Sequence, residues 1–459
     1  MLYTTDIHWL DSKRGLLLDK INIWKNDKYN NQYLYWFHYK NFEPMGFNYK
    51  FIETKDVESD TNFLVVVSPG NLNAYLGLCD EGDGKTFLDF TDDKIIDLIR
   101  NGNGYILICY YAEGHIKQQN YKDIHNFLLK YNVPSKKCIF VSSNINGKKQ
   151  YNNFCKDMPT LTRQRIKILE LNHMFISSVQ IYRHITESDN VGPMDNIWPY
   201  KQSFFTEKDF DDLKNTIREK YFLSYNRVIR EYRLALISMI YEMGLQDKGI
   251  ISLGAEEVDP ANGGVWPTRI REFIKDKKQS EVVNKALKSI KPLYPIDADG
   301  DIDANWVYGE NGNQINGAVG QWSNFSHQYK RIYFNVVTES CYYEDCIYMS
   351  EKIFKPISNL TPFIIVSTSH FLSKLKDLGF KTFSPWIDES YDEEVDNDKR
   401  FFMILDEIKR LCNMSKEEIH KWYYEMEDIL KHNQRHFITH ESTDSKDAWK
   451  EILGILYET

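Results

Sequence analysis

Short runs of β-branched and aromatic residues alternate along this chain with segments whose apolar positions recur every three or four residues. The run at 62–70, NFLVVVSPG, reads as a buried strand that ends in a turn. Segment 85–104 contains a helix opened by Thr91 or Asp92, both residue types that cap helix N-termini. YILICYY (105–111) is the next strand, a helix occupies roughly 119–130, and KCIFVSSN (137–144) and MFISSVQIYRH (174–184) read as further strands. Segment 206–219 is an acidic-to-basic helix or linker.

The same rhythm restarts after it. YFLSYNR (221–227) leads into VIREYRLALISMIYEMG (228–244), a helix with a glycine stop, and GIISLG (249–254) follows as a strand. The region 255–325 holds a helix within 267–290 and then a polar, turn-rich stretch that reads as an insertion or loop. Strands at 331–340 and 362–367, helices at 350–360 and 369–379, and periodic apolar positions from 400 to 432 complete the pattern. Strand–helix–strand repetition at this spacing predicts α/β layers with mostly parallel strands. The expected domains are 1–205, 206–400 and a C-terminal helical segment 401–459.

Composition changes this picture little. A chain of 459 residues exceeds one typical core, which supports two domains or more. A formal net charge of -9 argues against a generic nucleic-acid surface, although a local basic groove would be compatible with it. The N-terminal residues lack a signal-peptide pattern, and no apolar run reaches the length of a membrane span. Seven scattered cysteines without CxxC spacing argue against a disulfide framework or structural zinc, so a reducing, cytoplasmic setting is expected.

Ligands of open parallel sheets bind beyond the carboxyl ends of strands, so residues just after the strand runs are the candidates. Ser350, Glu351 and Lys352 stand where a helix begins. Ser350 can cap that helix, and the helix dipole favours a carboxylate at Glu351, which is a sufficient structural reading. The functional reading is that Glu351 accepts the hydroxyls of a ribose. Lys352 and the helix amides would then neutralise a diphosphate, and Tyr348 would flank a base. Asn226, Arg227, Arg230 and Arg233 sit at a strand-to-helix turn; they are either phosphate ligands or solvated charges paired with Glu231 or Glu219. Glu113 and His115, after strand 105–111, are candidates for general base and its partner, or solvated loop residues.

Other motifs lead away from chemistry. DADGDID carries Asp297, Asp299, Asp301 and Asp303 in alternation, but Ile302 stands where a calcium loop needs glycine and Tyr308 where it needs glutamate, so a hydrated turn is expected. HExxH, GxSxG and the phosphate-binding GxxxxGK[ST] loop are all absent.

Residues 331–395 resemble the C-terminal donor-binding domain of GT-B glycosyltransferases, most closely the fucosyltransferase-like and exostosin-like groups of bacteria, phages and large viruses. Glu339-Ser340 stands for that family's strand end, Tyr348-Met349-Ser350-Glu351-Lys352 for its helix-opening motif, and Pro362 to Val366 for the later strand. Ile347 replaces the family's aspartate, and its asparagine is missing after Glu339. LGFKTFSPWIDESYDEE (378–394) is similar to a segment of phage and viral relatives. The likeness extends over roughly 220–245 and 331–435 and is fainter over 60–145.

This resemblance implies two Rossmann-like domains facing each other across a cleft, with C-terminal helices. It implies that Glu351 binds the nucleotide ribose, Lys352, Arg227 and Arg230 the diphosphate, and that Tyr348 lies by the base; Asn226, Glu339 and Ser350 complete the expected donor site. The implied activity is inverting transfer from a nucleotide-diphosphate sugar, a co-substrate rather than a cofactor, to a glycan hydroxyl; Arg227, Arg230 and Lys352 with the helix amides would stabilise the leaving group without a metal, and Glu113 is the candidate base. Two alternatives stay open: transfer to modified bases in phage DNA, and non-catalytic binding of a nucleotide sugar or carbohydrate. An interaction protein would instead leave Glu351 and Lys352 on a solvated face.

Overall fold

The computed structural model describes residues 21–24, 49–52, 54–67, 86–110, 116–172, 205–226, 230–253, 274–293, 296, 326–343, 346–439, 450–452 and 454–456. The chain divides into two compact units, one comprising Met1–Ser177 with Glu441–Thr459 and the other Ser178–His440. Each contains a parallel sheet and helices, so the α/β expectation holds in both.

The sheet of the first unit has strands β1 (Ile21–Trp24), β2 (Tyr49–Ile52), β3 (Phe63–Val67), β4 (Gly104–Tyr110), β5 (Cys138–Ser142) and β6 (Lys167–Glu170), in the order β2-β1-β3-β4-β5-β6. Every pairing is parallel. Strands buried on both faces are continuously apolar, which is why 62–70 and 105–111 were legible. Helix Asp93–Asn101 starts at Asp92, whose carboxylate accepts from the Lys94 amide at 2.9 Å. Helices Gln118–Lys130 and Gly147–Asp157 contribute Tyr121, Ile124, Leu128, Tyr151 and Phe154 to the core. Helix Gly147–Asp157 and β6 were not anticipated. The strand expected at 174–184 lies outside the described residues.

The second unit has β7 (Phe222–Asn226), β8 (Gly249–Leu253), β9 (Phe334–Thr338) and β10 (Phe363–Val366), in the order β10-β9-β7-β8 and parallel throughout. From β7 the chain moves outward to β8 and then returns to the other side at β9. The strand order therefore reverses between β7 and β9, the place where open α/β sheets bind ligands. Helix Glu231–Glu242 begins three residues later than its apolar pattern suggested, and Gly244 follows it at φ 68°. Segment 206–219 is helical only over Glu207–Asp212. Of 267–290, helix Lys277–Ile290 is described, capped by Asp276.

Three C-terminal helices, Asn397–Cys412, Lys416–Glu425 and Glu427–Thr439, belong to this second unit. The last braces the short helix Glu351–Ser358: Phe437 stacks on Phe354 at 5.7 Å, and Gln434 Nε2 donates to the Ser358 carbonyl at 2.6 Å. Asn359 accepts from the Phe205 amide at 3.2 Å and donates to the Lys355 carbonyl at 2.8 Å, closing the other end of that helix. The helix is thus fixed at its carboxyl end, and its first turn is left to face the strand ends.

Candidate functional site

Strands β7 and β9 pair through Phe222–Phe334 and Leu223–Asn335, near their amino ends. At their carboxyl ends side chains join them: Thr338 Oγ1 donates to Asn226 Oδ1 at 2.8 Å, and Asn226 Nδ2 donates to Ser224 Oγ at 3.1 Å and the Ser252 carbonyl at 3.3 Å. Asn226 is fully buried and shapes the switch point from below.

Glu339, the residue after β9, is also fully buried. It accepts from the Ser350 amide at 3.1 Å and the Ser350 hydroxyl at 2.6 Å. Burial raises its pKa to about 7, against the pull of Lys352 and the Ser350 hydrogen bonds; the Glu351 charge adds to the rise. Ser350 also accepts from the Lys352 amide at 3.2 Å, the helix cap its position called for. Glu339 therefore anchors the start of the helix to the end of the strand. Ser350 is fully buried as well, so both residues position their neighbours instead of presenting surface to a ligand.

Glu351 and Lys352 present the chemistry. Lys352 Nζ lies 2.9 Å from Glu351 Oε1 and 3.2 Å from Ser350 Oγ. Glu351 is 5% exposed, and its Oε2 is buried with no hydrogen-bond partner among the described residues. The solvated-face alternative does not describe this carboxylate. The Lys352 side chain keeps 26% of its surface, enough to reach a ligand.

The arginines divide in role. Arg233 is 2% exposed and donates to the Thr338 carbonyl at 3.0 Å and the Glu339 carbonyl at 3.1 Å. It is a structural brace on the end of β9, which corrects the surface pairing expected of it; Glu219 is held by Arg331 at 2.8 Å. Tyr232 donates its hydroxyl to the Glu339 carbonyl. Burial pushes the Tyr232 phenol up, while the charges of Arg233, Arg230 and Lys352 pull it back. The Arg233 guanidinium lies 5.7 Å from the centre of that ring. Arg230, half-buried, is the residue that begins helix Glu231–Glu242.

Tyr348 is 2% exposed and packs in the core, so its ring offers little face to a base, and the flanking role expected of it is not retained. Glu113, His115, Arg227 and the aspartates 297–303 lie outside the described residues. Sequence reasoning missed Arg233 and Tyr232 as the residues that hold β9 to helix Glu231–Glu242. The apolar run that follows Arg233, Leu234 to Ile237, was the available signal that this part of the helix is buried on all sides.

Among the described residues no His, Cys, Asp or Glu cluster is arranged to hold a metal, and no helix is long and apolar enough to cross a membrane.

Neither a protein family nor a curated protein matches the sequence. Among solved structures, the chain is similar to an E. coli trehalose-6-phosphate structure bound with UDP-2-fluoro glucose, at 9% identity and TM-score 0.39 over 87% of this chain and 74% of that one. It is similar to an α,α-trehalose 6-phosphate synthase from Burkholderia multivorans, at 10% identity and TM-score 0.38 over 87% and 72%. A third is the N-terminal domain of a Candida albicans trehalose-6-phosphate phosphatase, at 10% identity and TM-score 0.40 over 88% and 73%. At these values the likeness carries neither an activity nor a family to this chain.

Proposed function

We propose that the second unit binds a nucleotide-diphosphate sugar and that the chain transfers the sugar to a hydroxyl of a glycan, as a GT-B glycosyltransferase of the fucosyltransferase-like kind. One observation carries this reading: the buried Glu351 Oε2, at a helix start beside the switch point of a parallel sheet, has no hydrogen-bond partner among the described residues. A carboxylate oxygen removed from water without a partner is costly, and a ligand that donates hydroxyls repairs the loss. A ribose diol does so. The diphosphate on the 5′ oxygen of that ribose would meet Lys352, the helix amides and Arg230.

In the proposed reaction the acceptor oxygen bonds to the anomeric carbon as the bond from that carbon to the phosphate oxygen breaks. Negative charge grows on the leaving diphosphate, and Lys352, Arg230 and Arg227 stabilise it without need of a metal. The acceptor proton passes to a carboxylate, for which Glu113 with His115 is the proposal; attack opposite the leaving group inverts the anomeric centre. The motif Tyr348 to Lys352 and the preceding Glu339 support the fucosyltransferase-like assignment.

Thermal stabilisation by a panel of nucleotide sugars tests the donor site. The best ligand is expected to lose most of its stabilising effect in Glu351→Ala and in Arg230→Ala. Unchanged stabilisation in both variants would sink the proposal, and binding without sugar transfer to any glycan would reduce it to a non-catalytic binder.

A further inference from the structure

The connection from β9 to helix Glu351–Ser358 contains a second feature, two buried cysteines. Cys341 and Cys346 are reduced thiols whose sulfurs lie 3.2 Å apart. We propose that they are a reversible disulfide site that controls the donor site: closing the bond shifts the residues that lead into Ser350 and Glu351. The regulatory half rests on the donor-binding reading; the disulfide itself does not.

The geometry supplies both the reaction and its direction of strain. A disulfide needs its sulfurs at about 2.05 Å, so closure brings them together by roughly 1.2 Å. The Cys341 end is fixed. Its carbonyl accepts from Ser367 Oγ at 3.0 Å, the Tyr342 carbonyl accepts from Arg400 Nη2 at 2.8 Å, and the Tyr342 hydroxyl donates to the Asn397 carbonyl at 2.9 Å. Tyr342 is fully buried, stacked on Tyr232 at 5.2 Å. On the other side Cys346 leads directly through Ile347, Tyr348 and Met349 to Ser350, whose bonds to Glu339 fix the first turn of the helix, so the part of the closure that Cys346 carries reaches that turn.

Cys341 keeps 7% of its surface and Cys346 none, which sets the order of events. The Cys341 thiolate attacks one sulfur of a small disulfide such as oxidised glutathione and expels one glutathione thiolate. The Cys346 thiolate then attacks the Cys341 sulfur and expels the second. One sulfur–sulfur bond is broken and one formed, and the two cysteine protons end on the two glutathiones, which are reduced as the protein is oxidised.

The experiment equilibrates the full chain in glutathione redox buffers, quenches it, and maps the cysteines by mass. A Cys341–Cys346 cross-link is expected, two hydrogens lighter than the reduced peptide; mixed glutathione adducts or two alkylated thiols in its place would overturn the site. Nucleotide-sugar affinity is expected to fall about tenfold on oxidation. By reciprocity saturating donor then shifts the redox midpoint by the same factor, about 30 mV for this two-electron couple. Cys346→Ala should abolish the redox dependence of binding. Equal affinity in both redox states would overturn the regulation. A reduced protein that binds no nucleotide sugar would overturn the donor reading, and the cross-link would still decide the cysteine site.

Discussion

Glu339 shows how burial makes one side chain sensitive to pH. Its pKa rises from 4.5 to about 7 on folding, so the folded state holds the proton more tightly than the unfolded chain. Its contribution to stability is complete below pH 4.5 and is lost as pH rises through 7. Urea unfolding of the wild type and of Glu339→Gln, at pH 4 and pH 8, isolates the effect. The wild type should lose of order 3 kcal/mol relative to the variant across that interval; a constant difference would show that the carboxyl is solvated. His125 in the first unit has the opposite sign. Burial lowers its pKa to about 4, so the stability that it contributes is lost as pH falls from 6.5 towards 4. Little of this was visible in the sequence. Ser350, Glu351 and Lys352 could be singled out because position at a helix start is a local property. The burial that turns Glu339 and Ser350 into an anchor, and Arg233 into a brace, depends on long-range packing of β9 against helix Glu231–Glu242, which no local pattern encodes.

At the scale of elements, both sheets repeat one device. Phe63 of β3 is the register partner of Gly104 in β4, and Phe222 of β7 is the register partner of Gly249 in β8. In each pair the phenyl ring covers the glycine: a Cβ on Gly104 would lie 2.5 Å from the Phe63 ring, and one on Gly249 would lie 2.4 Å from the Phe222 ring. Gly104→Ala and Gly249→Ala should each cost about 1–3 kcal/mol, because the ring must leave its place over the neighbouring strand. Chemical denaturation measures this, and Phe63→Ala or Phe222→Ala made alongside should remove the added penalty of the alanine. In the sequence Gly104 merely ends the segment 85–104 and Gly249 opens the strand 249–254, and neither position announces an aromatic partner. Their contact with an aromatic ring on another strand is a matter of register, and register is set by the folded sheet. The strands themselves were legible because parallel strands buried on both faces are continuously apolar. Strand β6, KILE, is too short and too polar to stand out in that way, and the same holds for the amphipathic helix Gly147–Asp157 before it.

At the scale of the molecule, the first unit is discontinuous. Its last segment, Glu441–Thr459, joins Met1–Ser177 with the whole of the second unit between them in sequence. Lys167 of β6 pairs with Glu451 at 2.6 Å, and Ile452 and Leu456 are each 1% exposed. Deleting 441–459 should therefore weaken the first unit, by about 2 kcal/mol for each buried aliphatic side chain removed. Amide exchange should quicken in Cys138–Ser142 and Lys167–Glu170 while Phe222–Asn226 and Phe334–Thr338 keep their protection; equal acceleration in both sets would contradict the division. The order of synthesis acquires a meaning from this arrangement. The second unit has all of its residues before the first one does, although the first one starts earlier. On the ribosome the six strands emerge long before residues 441–459 do, and in that interval the apolar surface that Ile452 and Leu456 later share is open to chaperones and to aggregation.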